Sequence, residues 1–133
     1  ILLDENFQLK LADFGFAKTI DDVDKAIRME HTPLGTPNYT SPQILDFQDY
    51  SVKCDVWSSG VLLYELLFGV YPWEGYSPYE IYKNIKAKPL TFPKAIDNNT
   101  QDLLIGMLKI DEADRLSWKD VFEHPALNQS FII

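Results

Sequence analysis

Ser51-Val52-Lys53-Cys54-Asp55-Val56-Trp57-Ser58-Ser59-Gly60-Val61-Leu62-Leu63-Tyr64-Glu65-Leu66-Leu67-Phe68-Gly69-Val70-Tyr71-Pro72 is the stretch that decides the fold class. Ser51 is suited to cap a helix, and Gly69 and Pro72 are suited to stop one. Between them the apolar residues fall on most of the helical circumference, so the helix is expected to be buried rather than to lie on the surface. Its greasiest part, Val61 to Phe68, is interrupted by Glu65 and is too short to span a bilayer.

Other helices are signalled on the C-terminal side. Ser77-Pro78-Tyr79-Glu80 reads as a capping box with proline at the first helical position. Asn99 or Thr100 is expected to open a helix carrying Leu103, Leu104, Met107 and Leu108. Ser117-Trp118-Lys119-Asp120 opens the last, which should end near His124-Pro125. On the N-terminal side, Ile1 to Leu3 and the alternating Phe7, Leu9 and Leu11 flank Asp4-Glu5-Asn6, the pattern of a β-hairpin. From Thr19 to Thr40 no period holds and Pro33, Gly35 and Pro37 intervene. A loop this long in a compact domain is usually functional or disordered. The chain is therefore expected to be mainly α with a short β-hairpin, without internal repeats.

The 133 residues are 46% hydrophobic, 14% aromatic and 24% charged, enough apolar material for a core and not the composition of a disordered chain. The net charge of −8 disfavours direct contact with nucleic-acid phosphates and could steer basic peptides toward the surface. A single cysteine, Cys54, permits no internal disulfide and suits a reducing, cytoplasmic location. His31 and His124 have no metal-like spacing with Cys54 or with each other. The N-terminus lacks the basic region of a signal peptide and lacks an initiator methionine, so the chain reads as cut from something longer.

Asp13-Phe14-Gly15 follows the second expected strand directly. An aspartate at a strand end can offer one oxygen to a divalent cation while the chain turns away, and a neighbouring glycine lets the backbone flip. Alone the tripeptide is a weak signal. In order along this chain, however, come Ile1-Leu2-Leu3-Asp4 to Asp13-Phe14-Gly15, Gly35-Thr36-Pro37-Asn38-Tyr39-Thr40-Ser41-Pro42-Gln43, Asp55-Val56-Trp57-Ser58-Ser59-Gly60, and Asp114-Arg115. Together they resemble the C-terminal half of a eukaryotic serine/threonine protein kinase domain, starting just after the catalytic loop.

The resemblance implies a partial domain over 1–133: metal-binding motif 13–15, activation segment 13–43 and the helical large lobe over 51–127. It implies ATP and Mg²⁺ as nucleotide and cofactor and proteins as substrates, with Asp13 as metal ligand and Phe14 and Gly15 beside it. Phe14 would pack in the hydrophobic spine that separates active from inactive states. Gly35, Thr36 and Tyr39 would belong to the substrate-receiving loop. Thr36 is similar to the threonine that serine/threonine kinases place near the catalytic aspartate, where tyrosine kinases carry proline and tryptophan-type residues. Thr32 and Thr19 lie where an activating phosphate could order the segment. Asp55 would accept hydrogen bonds from catalytic-loop amides. Trp57 and Tyr71-Pro72-Trp73 read as packing groups.

Gln43 departs from the pattern, which has glutamate there, paired with an arginine at the position of Arg115. A glutamine keeps one charge-assisted hydrogen bond, worth about 1.5–3 kcal/mol, but not the bidentate charge-neutralising pair. The glycine-rich loop, the strand lysine and its helix glutamate are not in the chain, and neither are the catalytic aspartate, its lysine and the second metal-binding asparagine. With only Asp13 of the phosphate-positioning groups, the isolated chain is expected to be inactive. Two rival readings stand beside that of an enzyme segment: a pseudokinase-like interaction module and a nonfunctional remnant. Asp13-Phe14-Gly15-Phe16-Ala17-Lys18, Gly35-Thr36-Pro37, Tyr64-Glu65-Leu66-Leu67-Phe68-Gly69 and Lys88-Pro89-Leu90-Thr91-Phe92-Pro93 resemble the unc-51-like, autophagy-initiating kinases, with calcium/calmodulin-type and polo-like kinases near competitors.

Overall fold

The computed structural model describes residues 1–15, 17 and 36–127. It is mostly helical, with one two-stranded antiparallel sheet. Strand β1 (Leu2–Leu3) pairs with β2 (Leu9–Lys10) in the register Leu2 to Lys10 and Leu3 to Leu9. A 3₁₀ turn (Pro37–Tyr39) precedes helices α1 (Pro42–Leu45), α2 (Lys53–Phe68), α3 (Pro78–Ala87), α4 (Asn98–Met107) and α5 (Trp118–Glu123). No helix among the described residues is long and apolar enough to cross a membrane.

The hairpin is shorter than its alternation suggests. The Asp4 carboxylate accepts the amides of Asn6 and Gln8, both at 2.9 Å, and so winds residues 4–8 into the turn. Phe7 consequently sits at φ 59°, in the left-handed region, instead of extending β2. Phe7, Leu9 and Leu11 are all exposed.

Helix α2 is the centre of the molecule. Val56, Trp57 and Val61 are completely buried and Tyr64 nearly so. Trp57 stacks on Trp73 with ring centroids 5.5 Å apart, which makes both packing groups. The Trp73 indole also donates to the Lys88 carbonyl at 3.0 Å, tying the segment after α2 to the end of α3. Leu104 and Leu108 complete this core, and Val56 joins Leu103, Met107 and Val121 in a second cluster. Gly60 lets α2 and α4 approach closely: a Cβ there would lie 3.0 Å from Met107 Cβ and Leu108 Cδ2. At the far end Gly69 adopts φ 72°, and its amide caps the Glu65 carbonyl at 2.7 Å.

The helix starts show where capping chemistry is local and where it is not. The Ser51 hydroxyl accepts the Lys53 amide at 3.2 Å, so it closes the entry to α2 although Val52 holds the cap position. Ser77 caps α3 through the Glu80 amide. The reciprocal half of the box is displaced, because Glu80 reaches back to the Tyr76 amide at 2.8 Å rather than to Ser77. Helix α4 opens earlier than Asn99 or Thr100, since Asp97 accepts the Thr100 amide at 2.9 Å. A carboxylate is a good cap and also favours the positive end of the helix dipole. Ser117 and Asp120 form a complete capping box on α5.

The caps carry a pH signature. Hydrogen bonds from Thr100 hold the Asp97 carboxyl below the ordinary aspartate value of 3.8, and hydrogen bonds from Ser117 do the same for Asp120. A carboxyl depressed by folding contributes stability above its unfolded pKa, and that contribution is lost as pH falls through the folded pKa. Hydrogen-exchange protection factors of α4 and α5 should therefore fall on acidification below about pH 4, before those of α2. Asp97→Asn keeps an N-cap acceptor and should remove the response in α4 alone. An unchanged acid response of α4 in that variant would contradict the assignment.

Candidate functional site

Asp13 leaves β2 through Leu11 and Ala12 and adopts φ 64°. A non-glycine residue in the left-handed region carries backbone strain of the kind that gathers at functional sites, and aspartate tolerates it better than most. Gly15 follows closely: a Cβ at that position would stand 3.4 Å from Asp13 Oδ1, an ordinary van der Waals contact. The Asp13 carboxylate is exposed. No group of three or more His, Cys, Asp or Glu that could hold a metal ion occurs among the described residues. A single carboxylate fits magnesium, which keeps several waters and takes phosphate oxygens for its other positions. Phe14 is 67% exposed, so the packing implied for it is not made with the described residues.

The segment from Thr36 to Gln43 is joined to the helical core at several points. Thr36 is exposed at the start of the 3₁₀ turn, and its carbonyl accepts the Tyr39 amide at 3.3 Å. Tyr39 is fixed by α2 and by the segment that follows it. Its hydroxyl donates to Glu65 Oε2 at 2.5 Å and lies 3.5 Å from the Tyr71 hydroxyl, with the two rings edge-on at 5.6 Å. The bond to Glu65 pushes the Tyr39 phenol well above its usual range, so it is a proton donor at any physiological pH. The Tyr39 carbonyl in turn accepts from the Ser58 hydroxyl at 2.8 Å. Gly35, Thr32 and Thr19 lie outside the described residues, as does His31.

Gln43 and Arg115 meet. Arg115 Nη2 donates to Gln43 Oε1 at 2.8 Å, across 72 positions of sequence. The guanidinium is enclosed: Nε donates to the Lys109 carbonyl (3.0 Å), Nη1 to that of Lys53 (3.1 Å) and Nη2 also to that of Ile110 (3.2 Å). Its plane lies over the Trp57 ring, 5.1 Å from the centroid. Arg115 is 2% exposed, and burial pushes its pKa down while Glu112, at 3.8 Å, opposes that shift. Gln43 does more than accept: its Nε2 donates to the Ile110 carbonyl at 2.8 Å.

Three residues that sequence reading gave no role complete these contacts. Lys53 Nζ donates to the carbonyls of Arg115 (2.7 Å) and Glu112 (3.0 Å), and Glu112 accepts the Ser51 amide at 3.1 Å. Glu65 accepts the Tyr39 hydroxyl, and its signal was visible as the one carboxylate inside an otherwise apolar run. Asp55 is exposed in the first turn of α2, where the helix dipole favours a negative charge, with the Cys54 thiol 3.8 Å from Oδ1. Burial, first of all, pushes the Cys54 thiol up to about 12, which leaves it unreactive.

Comparison with known proteins gives this geometry its family. The family model described as protein kinase domain matches residues 1–127. The chain is 38% identical to the serine/threonine-protein kinase atg1 of Dictyostelium discoideum over 90% of its own length and 17% of that protein's. It is 37% identical to the cAMP-dependent protein kinase type 3 of Saccharomyces cerevisiae over 97% of its own length and 32% of that protein's. It is 35% identical to an Aurora kinase of Eremothecium gossypii over 98% of its own length and 34% of that protein's. The chain thus spans about a third or less of the curated relatives it matches. With the match running from Ile1 to Leu127 and serine/threonine kinases among its relatives, the chain belongs to the protein kinase domain family.

Proposed function

We propose that the chain is the large-lobe segment of an ATP- and Mg²⁺-dependent serine/threonine kinase, one that transfers the γ-phosphate of ATP to protein hydroxyls inside the cell. The observation that carries the reading is the kinase-domain match over residues 1–127. The geometry supports it at two places. Asp13 presents an exposed carboxylate from a strained turn, where it would be a ligand of the metal. The metal, when bound, would neutralise charge on the phosphate oxygens. Thr36 stands exposed at the start of a loop anchored on α2, where a substrate chain would lie. Phosphoryl transfer depends on positioning and electrostatic stabilisation more than on covalent chemistry, and these residues serve positioning. Gln43 and Arg115 serve it indirectly, by holding the segment from which the loop hangs, and Asp55, exposed in the first turn of α2, would serve it by accepting catalytic-loop amides.

Within the family, we assign the parent to the unc-51-like group, on the motifs around Phe16, Tyr64 and Lys88 and the identity to the atg1 relative. Thr32, ahead of Thr19, is assigned as the regulatory phosphosite, because a charge of about −2 just before the substrate loop can pin it. Phosphate mapped elsewhere, with Thr32 unmodified in active protein, would remove that assignment.

The test is label transfer from γ-labelled ATP to a generic basic protein, followed by phosphoamino-acid separation. The protein expressed from its complete coding sequence should place label on serine and threonine. A polypeptide of residues 1–133 alone should not, because it holds Asp13 and no other phosphate-positioning group. A complete protein that binds partners but transfers no label would be the pseudokinase-like interaction module. Turnover by the 133 residues alone would overturn the present reading of which groups matter.

A further inference from the structure

Tyr39 is gripped by α2 at both its ends. The Ser58 hydroxyl donates to its backbone carbonyl at 2.8 Å, and the Glu65 carboxylate accepts its phenol at 2.5 Å. Ser58 and Glu65 are seven residues apart, two turns of one helix, so they share a face and are separated by about 10 Å along the axis. Helix α2 is the most deeply buried element among the described residues, so both contacts come from a rigid support. The loop residue between them has little freedom: the carbonyl end sets the chain direction into Ser41, which is fully buried at the start of α1.

We infer that Ser58 is a positioning residue for substrate binding, holding the Thr36–Ser41 loop in register through the Tyr39 carbonyl while Glu65 holds the phenol. The inference rests on the proposed reading of that loop as the substrate-receiving one. A serine inside a helix commonly bonds back to the carbonyl four residues earlier. Here that acceptor, the Cys54 carbonyl, lies at 3.1 Å, farther than the Tyr39 carbonyl. Both carbonyls lie within hydrogen-bond reach of the one hydroxyl proton, and the shorter contact is the one across elements. Loss of the hydroxyl leaves the Tyr39 carbonyl without this donor and lets the loop shift, while ATP is untouched.

The experiment measures kcat and KM for a synthetic basic peptide with one serine, and KM for ATP, using the complete protein. Ser58→Ala should raise the peptide KM about two- to ten-fold, the loss of one net hydrogen bond, with the ATP KM unchanged. Ser58→Thr, which keeps the hydroxyl, should restore the wild-type peptide KM. If Ser58→Ala does not fold, Ser58→Cys, which keeps the size and weakens the donor, should show the same split. A variant that loses kcat in proportion to its folded fraction with both KM values unchanged overturns the inference and leaves the kinase reading standing. So does a variant indistinguishable from wild type. A wild-type protein that transfers no phosphate overturns the kinase reading and this inference with it.

Discussion

Arg115→Met is expected to destabilise the domain by about 3–5 kcal/mol, because several buried acceptors lose their donor at once and each costs about 1–3 kcal/mol when left unsatisfied. The methionine keeps an apolar stem but leaves the carbonyls of Lys109, Lys53 and Ile110 and the Gln43 amide oxygen without the donor they share. It also removes the cation from the face of Trp57 at the centre of the core. Three separate parts of the chain come apart together: the start of α1, the start of α2 and the segment between α4 and α5. Denaturant unfolding of the complete protein reads the loss. A midpoint change worth less than about 1 kcal/mol would mean that the guanidinium is not the tie it is drawn to be.

The same geometry sets the effect of Gln43→Glu. A carboxylate would strengthen the bond to Arg115. It would also turn the Nε2 donor into an acceptor facing the Ile110 carbonyl, now 2.8 Å away. The gain and the loss are each on the order of one hydrogen bond. The substitution should therefore be close to neutral, although the family's glutamate suggests a benefit from sequence alone. A double-mutant cycle of Gln43→Ala with Arg115→Met should be non-additive, because the two residues are in contact.

The helices were legible because their signals are local. Apolar residues over most of the circumference marked α2 as buried, and Ser51, Ser77 and Ser117 marked helix starts within a residue. The misreadings have local causes as well. Asp97 lost to Asn99 and Thr100 as the opener of α4 because several capping types stand side by side there, and only geometry shows which side chain meets the Thr100 amide. The site was legible only as far as motif order reached. Lys53 and Glu112 act across about sixty positions, through main-chain carbonyls and an amide, and such contacts leave no period or composition in the sequence. Two buried polar groups, the Ser41 hydroxyl and the Trp57 indole N–H, have no hydrogen-bond partner among the described residues, and nothing in the structure explains them.

Replacement of Asp13 is the sharpest probe of the proposed kinase reading, in which Asp13 is the phosphate-positioning group that this chain contributes. Its carboxylate is exposed, held at φ 64° and free of close packing, so Asp13→Asn should leave the fold and the thermal midpoint intact. The substitution is nearly isosteric and removes only the charge and one anionic oxygen. Loss of a group that stabilises transition-state charge costs about a hundred- to a thousand-fold in turnover, and a metal ligand belongs at the upper end of that range. The measurement is the rate of label transfer from γ-labelled ATP to serine and threonine by the complete protein, wild type against Asp13→Asn, over a Mg²⁺ titration. A loss of about a thousand-fold is expected at any Mg²⁺ concentration, with circular dichroism unchanged. Equal rates in a folded Asp13→Asn protein would contradict it, and would place the phosphate-handling machinery somewhere other than this turn.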